Sequence, residues 1–301
     1  MNNHIYNKLR SKLINKKSKI AIIGLGYVGL PLAIYFSKIG YELIGIDQDK
    51  SKINNLKKGI SYISQYTNKK IKEINFFDLS NNYQSISESD VIILCLPTPL
   101  NKNKQPNLTY IKNAAKSLKK FMKKGQIFSL ESTTYPGTTE DIFLPIFKKK
   151  GLIVGKDVFL VYSPEREDPG NKRFNISVTN KIISGYSKNC LNLAKLIYSN
   201  KHSKLTSVSN LKVAEMTKLL ENIYRSINIG LANEMKIICD SMSIDIDEVI
   251  DAAKTKPFGF QAFYPGPGVG GHCIPIDPYY LQWQAKKYGI NSKFIKLAGD
   301  I

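Results

Sequence analysis

Cys273 stands at the end of a glycine-rich run, Gly266-Pro-Gly-Val-Gly-Gly-His-Cys273, and Asp277 follows four residues later. Glycine lets a backbone approach a ligand closely and adopt left-handed conformations. A thiol presented on such a loop is suited to nucleophilic attack on an electrophilic carbon. Pro267 and Pro275 stiffen the segment. The competing reading is a tight loop with one small apolar residue, because unpaired cysteines are usually inert core. A second polar set lies upstream, where Glu215, Lys218, Asn222 and Arg225 step by three or four and so share one face of a helix. A solvated polar stripe is the plainer account of that face.

A third motif binds rather than reacts. Gly24-Leu-Gly26-Tyr27-Val28-Gly29 follows the apolar run Lys19–Ile23, precedes the helical pattern Leu30 to Ile39, and is followed by a second run, Tyr41 to Ile46, ending at Asp47. Strand, glycine loop, helix, strand and acid is the context a dinucleotide-binding fingerprint requires. The first glycine makes the turn, the second admits a pyrophosphate and the third lets helix and strand pack. The helix N-terminus attracts phosphate. Asp47 can hold the ribose hydroxyls and repel a 2′-phosphate, which favours NAD over NADP.

The elements that must position these residues alternate. Strands are expected at 90–96, 126–130, 157–162, 181–185 and 204–208, with helices near 108–123 and 189–198. Polar clusters fall at the carboxyl ends of these strands: Pro97-Thr98-Pro99, Glu131-Ser-Thr133-Thr-Tyr-Pro-Gly137 and Ser163-Pro-Glu165-Arg166. Ligands of doubly wound sheets bind at those ends. Cys95, inside a strand, reads as core. Residues 211–242 contain one glycine and no proline and form one long helix; shorter helices follow at 245–253 and 279–288. The expected fold is therefore α/β: a basic lead over 1–19, a Rossmann-like doubly wound parallel sheet over 20–209, and an all-helical domain built on a long helix over 210–301, carrying the cysteine loop.

Composition narrows the partners. The 301 residues carry a net charge of +20, but the lysines are dispersed and not interleaved with aromatics, so nucleic acid is not expected and a bias toward anionic small ligands is. No apolar run has the length of a membrane span, and no apolar stretch follows the basic start, so neither membrane nor secretory leader is expected. Four cysteines without paired spacing suit a reducing cytoplasm and offer no metal site.

Taken together, Gly24-Leu-Gly-Tyr-Val-Gly-Leu-Pro31, Pro97-Thr-Pro99, Glu131-Ser-Thr-Thr-Tyr-Pro-Gly137, Ser163-Pro-Glu-Arg166, Ala214-Glu-Met-Thr-Lys218 with Asn222, and Gly270-Gly-His-Cys273 resemble the nucleotide-sugar 6-dehydrogenases, the UDP-glucose and GDP-mannose dehydrogenase family. Gly-Gly-His-Cys-Ile-Pro-Ile-Asp277-Pro and Glu-Arg-Glu-Asp-Pro-Gly-Asn171 are more similar to the branch acting on UDP-N-acetylhexosamines. The resemblance implies a four-electron, NAD-dependent oxidation of a C6 alcohol to a carboxylate, supplying a uronic acid for surface polysaccharide. It implies that Cys273 forms the thiohemiacetal and thioester, that Lys218 and Asn222 stabilise the oxyanion, that Asp277 orders the lysine or a water, and that Glu165 activates water. It places Thr133 on cofactor and catalytic water, and Gly24, Gly26, Tyr27, Val28, Gly29, Asp47, Lys52 and Thr98 on the cofactor. The substrate contacts are expected from Glu165, Arg166, Lys218, Asn222, Arg225, Tyr264 and Gly270, with a homodimer through the long helix. Where the family has a second acid four positions after Glu165, this chain has Pro169, preceded by Glu167 and Asp168. The family also has a further Rossmann-like domain holding much of the UDP, whereas this chain stops at Ile301, so part of the UDP pocket is expected to be missing. A UDP-glucose or GDP-mannose enzyme, a two-electron hydroxyacid dehydrogenase, and a non-catalytic NAD-binding remnant are the rival readings; a single oxidation would need no thiol.

Overall fold

The computed structural model describes residues 4–166, 179–199, 204–270 and 274–300. They form two compact units, residues 1–98 with 108–215 and residues 99–107 with 216–301.

In the first unit α1 (His4–Ile14) precedes β1 (Lys19–Ile23), α2 (Gly29–Lys38), β2 (Glu42–Ile46), α3 (Lys50–Lys57), α4 (Asn68–Lys72) and β3 (Phe76–Ser80). There follow β4 (Val91–Leu94), α5 (Thr109–Leu118), β5 (Gln126–Leu130), α6 (Thr138–Lys149), β6 (Val158–Tyr162), β7 (Lys181–Gly185), α7 (Lys188–Tyr198) and β8 (Leu205–Ser207). The sheet order is β3-β2-β1-β4-β5-β6-β7-β8. Strand order reverses between β1 and β4, which puts the switch-point crevice beside the glycine loop. Central strands such as Val91–Leu94 are buried throughout, as parallel strands covered on both faces must be.

The expected all-parallel sheet needs one correction: β7 runs antiparallel to β6, with Tyr162 opposite Ser184. β3 was not foreseen. Its Phe76-Phe-Asp-Leu-Ser80 is an edge strand that buries only Leu79, so it lacks a strong apolar run. The basic α1 is packed into this unit: Leu9 and Leu13 join the core, and Lys12 Nζ lies 2.6 Å from Asp90 Oδ1. Caps mark helix starts where the sequence places short polar residues, Asp49 on Ser51 N ahead of α3 and Ser187 on Cys190 N ahead of α7.

The unit boundary falls after Glu215, within the 31-residue α8 (Leu211–Ser241). The second unit continues with α9 (Ile246–Ala253), α10 (Asp277–Lys286) and α11 (Lys293–Asp300). Along α8, Leu219, Ile223, Ala232 and Cys239 are buried, and Cys239 packs against Ile246 and Ile250 of α9. A different stripe of the helix, Met216, Leu220, Tyr224, Leu231, Met235, Ile238 and Met242, is exposed. Among the described residues no helix is long and apolar enough to cross a membrane.

Candidate functional site

The glycine loop is built as its sequence demands. Gly24 has φ +90°, and its amide donates to Ile46 O over 2.8 Å. A Cβ at Gly29 would lie 1.8 Å from Gly24 O, so α2 approaches the turn as only glycine permits. A Cβ at Gly26 would meet nothing within 4 Å. That open space above the second glycine is what a pyrophosphate approaching the backbone needs. Asp47 Oδ2 accepts the Leu25 amide at 2.8 Å and lies 3.3 Å from Lys52 Nζ, while Oδ1 accepts the Asp49 amide at 2.9 Å. Asp47 and Lys52 are thus brought together beside the loop, with Tyr27 exposed at its crest. These residues fit NAD.

Thr98 and Thr133 follow the carboxyl ends of neighbouring strands β4 and β5, and both are half-buried. The two loops are joined through Ser132, whose hydroxyl donates to Leu96 O at 2.7 Å and accepts from Leu96 N at 2.9 Å. Glu165 follows β6 on the same edge and is half-buried. Its Oε1 accepts the Arg166 amide at 2.7 Å, and its Oε2 lies 3.9 Å from Lys181 Nζ. The Arg166 guanidinium donates to Asn180 O. Cys95 is buried core, as read; burial and then the carboxylates of Glu131 and Glu165 push its thiol up.

In the second unit Lys218 and Asn222 are one turn apart on α8, and Asp277 opens α10. Asn222 Nδ2 donates to Asp277 Oδ2, and both residues are buried. Burial pushes the Asp277 carboxyl up to about 6, opposed by the Asn222 hydrogen bond and the Lys218 ammonium. Three of the expected catalytic residues are therefore gathered here. Cys273, Gly271 and His272 lie outside the described residues, as do Glu167, Asp168 and Pro169; Gly270 is exposed with φ +64°. Arg225 is exposed, and the half-exposed Tyr264 has its hydroxyl on Asp251 Oδ1 at 2.8 Å, so its ring is fixed at the surface of α9.

Sequence reasoning assigned no role to two buried acids. Glu215 accepts Gly137 N through Oε2 and, through Oε1, Thr139 N and Thr139 Oγ1 at 2.9 and 2.7 Å. It thereby caps α6, whose own Gly137 has no side chain to do so. Glu131, at the end of β5, pairs with Lys181. In both cases the acid directly follows apolar residues, Leu130 before Glu131 and Val213-Ala214 before Glu215, but neither pattern names a partner. Among the described residues no group of His, Cys, Asp or Glu side chains is arranged to hold a metal ion.

Residues 18–202 match the UDP-glucose/GDP-mannose dehydrogenase family, NAD binding domain, and residues 212–301 match the same family's central domain. The chain belongs to that family, and NAD is the cofactor its first domain takes. It is 41% identical over 286 residues to a UDP-N-acetyl-D-glucosamine 6-dehydrogenase of Pseudomonas aeruginosa, covering 94% of this chain and 67% of the relative. It is 36% identical over 289 residues to a UDP-N-acetyl-D-mannosamine dehydrogenase of Methanococcus maripaludis, covering 94% of this chain and 64% of that one. The solved UDP-D-ManNAc dehydrogenase of Pyrococcus horikoshii superposes with a TM-score of 0.87 at 34% identity, over 94% of this chain and 67% of that structure. The chain thus spans about two thirds of the length of the relatives it matches.

Proposed function

We propose that this chain carries the NAD-binding and catalytic parts of an enzyme that oxidises the C6 hydroxyl of a UDP-N-acetylhexosamine, UDP-GlcNAc or UDP-ManNAc, to the carboxylate. The observation that carries the reading is the grouping of Lys218, Asn222 and Asp277, with Asp277 four residues past Cys273 in sequence. NAD supplies the hydride acceptor for both oxidations.

Cys273, as thiolate, adds to the C6 aldehyde left by the first oxidation. The second oxidation turns that thiohemiacetal into a thioester. Lys218 and Asn222 donate to the oxygen where negative charge develops, and Asp277 holds the Asn222 amide in orientation. Glu165 takes a proton from the water that hydrolyses the thioester, and Thr133 contacts that water. Arg166, Arg225, Tyr264 and Gly270 are assigned to the sugar nucleotide. The product is a uronic acid of the kind built into surface polysaccharide, made in the cytoplasm.

The exposed apolar stripe of α8 supports a homodimer through that helix. Its apolar residues recur at three- and four-residue steps, the spacing of a helix–helix seam.

The test is NADH formation by purified protein with UDP-GlcNAc, UDP-ManNAc, UDP-glucose and GDP-mannose, with Cys273→Ala alongside. Two NADH per N-acetylated sugar, lost in the alanine variant, is the expected result. Turnover of UDP-glucose or GDP-mannose instead would move the substrate class. NAD binding without turnover of any of them would overturn the proposed oxidation.

A further inference from the structure

A buried charge cluster lies behind Glu165, and the chemistry above does not use it. Glu131 directly follows β5, Glu165 follows β6, Lys181 opens β7 and Tyr198 ends α7. Because β5 and β6 are parallel and β7 is antiparallel to β6, the two strand ends and the strand start fall on one edge of the sheet. Lys181 Nζ lies 2.7 Å from Glu131 Oε2, 3.9 Å from Glu165 Oε2 and 3.5 Å from Pro164 O. The Tyr198 hydroxyl donates to Glu131 Oε1 and shares a 2.8 Å hydrogen bond with Ser129 Oγ. Its ring centroid is 5.1 Å from the ammonium. The Glu165 amide points to Glu131 O at 3.5 Å. Glu131 is 1% exposed and Lys181 9%, so water screens neither.

The cluster holds two carboxylates and one ammonium. Burial, then the Glu165 charge, push the Glu131 carboxyl up to about 7, against the pull of Lys181 and the Tyr198 hydrogen bond. Burial alone would lower Lys181; the two carboxylates outweigh it and raise it, so the ammonium persists. Among the described residues, the other groups facing Glu165 and Glu131 are neutral or turned elsewhere: the Cys95 thiol just after β4 and the Tyr198 phenol are both pushed up, and the Arg166 guanidinium is on Asn180 O.

We propose that Glu131, with Tyr198, is a positioning residue that holds the Lys181 ammonium to itself and so keeps Glu165 basic enough to take the proton of the attacking water. The inference rests on the reading of Glu165 as that base. In the hydrolysis, the water oxygen bonds to the thioester carbon, its proton passes to Glu165, and the carbon–sulfur bond breaks to release the thiolate, with no net oxidation. Glu165 becomes neutral in this step, and Lys181 retains a full partner in Glu131 at 2.7 Å. Without Glu131, Glu165 would be the ammonium's sole carboxylate partner among the described residues and would be drawn into an ion pair with it.

Carbon NMR of the full chain labelled with [δ-13C]glutamate tests the coupling without turnover. Signals lost in Glu131→Gln and in Glu165→Gln assign the two carboxyls. Removing the neighbouring charge in Glu165→Gln is expected to lower the Glu131 midpoint by about half a pH unit or more. Tyr198→Phe, which keeps the ring, is expected to raise it; Lys181→Met should raise it further if it folds. A Glu131 midpoint unmoved in Glu165→Gln overturns the inference. Kinetically, Glu131→Gln is expected to leave the first NADH burst intact, slow steady turnover about tenfold or more, and accumulate a Cys273-linked adduct by intact mass. An unslowed Glu131→Gln also overturns it. Absence of NADH formation by the wild type would count against the proposed activity alone, and the titrations would still decide the coupling.

Discussion

The Leu25 amide donates to Asp47 Oδ2 across 2.8 Å, so the acid that follows β2 also fixes the peptide after the first glycine of the cofactor loop. Asp47→Ala removes a charged acceptor from a backbone amide as well as the group expected to receive the ribose. Loss of one charge-assisted hydrogen bond is worth about 1.5–3 kcal/mol. NAD affinity, measured by calorimetry, is expected to fall about 10- to 100-fold, with the gap between NAD and NADP narrowing. An unchanged preference for NAD would remove Asp47 from that role.

Gly26 and Gly29 have different jobs and their alanine variants are expected to fail differently. Gly29→Ala would place a methyl 1.8 Å from Gly24 O, so the melting temperature should drop or folding should be lost. Gly26→Ala meets no protein atom within 4 Å, so stability should hold while NAD binding weakens at least about tenfold. Equal loss of stability in the two variants would contradict this division.

Glu215 uses separate oxygens for the Gly137 and Thr139 amides. Glutamine has one oxygen to offer and would set its NH2 against the other amide. Glu215→Gln is therefore expected to destabilise the first unit by about 1–3 kcal/mol, nearly as much as Glu215→Ala. Urea unfolding of both variants checks it; a glutamine variant as stable as wild type would show that one acceptor suffices.

Asp277 gives stability a pH dependence of known sign. Its carboxyl titrates at about 6 in the fold against an ordinary 3.8, so the folded state binds the proton more tightly. Its contribution is full below the unfolded value and is lost as pH rises through about 6. Between pH 4 and 6 the slope from one such group is at most about 1.4 kcal/mol per pH unit. Denaturant unfolding of wild type and Asp277→Asn over this window should differ by that falling slope; parallel curves would mean that Asp277 ionises freely.

The exposed stripe on α8 predicts an association state. Leu220 and Leu231 are 63% and 54% exposed on the isolated chain. Sedimentation should give a dimer for wild type and a monomer for the double variant Leu220→Glu, Leu231→Glu. A wild-type monomer, or a double variant still dimeric, would move the interface off this helix.

The first βαβ unit was legible because its turn tolerates few alternatives: a left-handed Gly24 and a Cβ-free Gly29 must recur at that spacing. Lys218 and Asn222 were legible as neighbours from their four-residue step, whereas the approach of Asp277 to Asn222 is a tertiary contact that no local rule supplies. Helical periodicity along α8 was readable too, but a period of 3.6 says nothing about which apolar stripe is covered: Leu219 and Ile223 are buried, Leu220 and Tyr224 are not. Lys181 escaped notice because a lysine at the start of a strand reads as a solvated end. Only the antiparallel turn of β7 brings it against Glu131 and Glu165.

That one reversed strand also decides which side chains meet at the edge of the sheet. Val161 pairs with Gly185 and Tyr162 with Ser184, so the register alone sets where the chain leaves β6 and re-enters β7. Glu165 lies three residues beyond Tyr162 and Lys181 three residues before Ser184, so the sheet's own register sets the carboxylate and the ammonium facing each other across the strand pair.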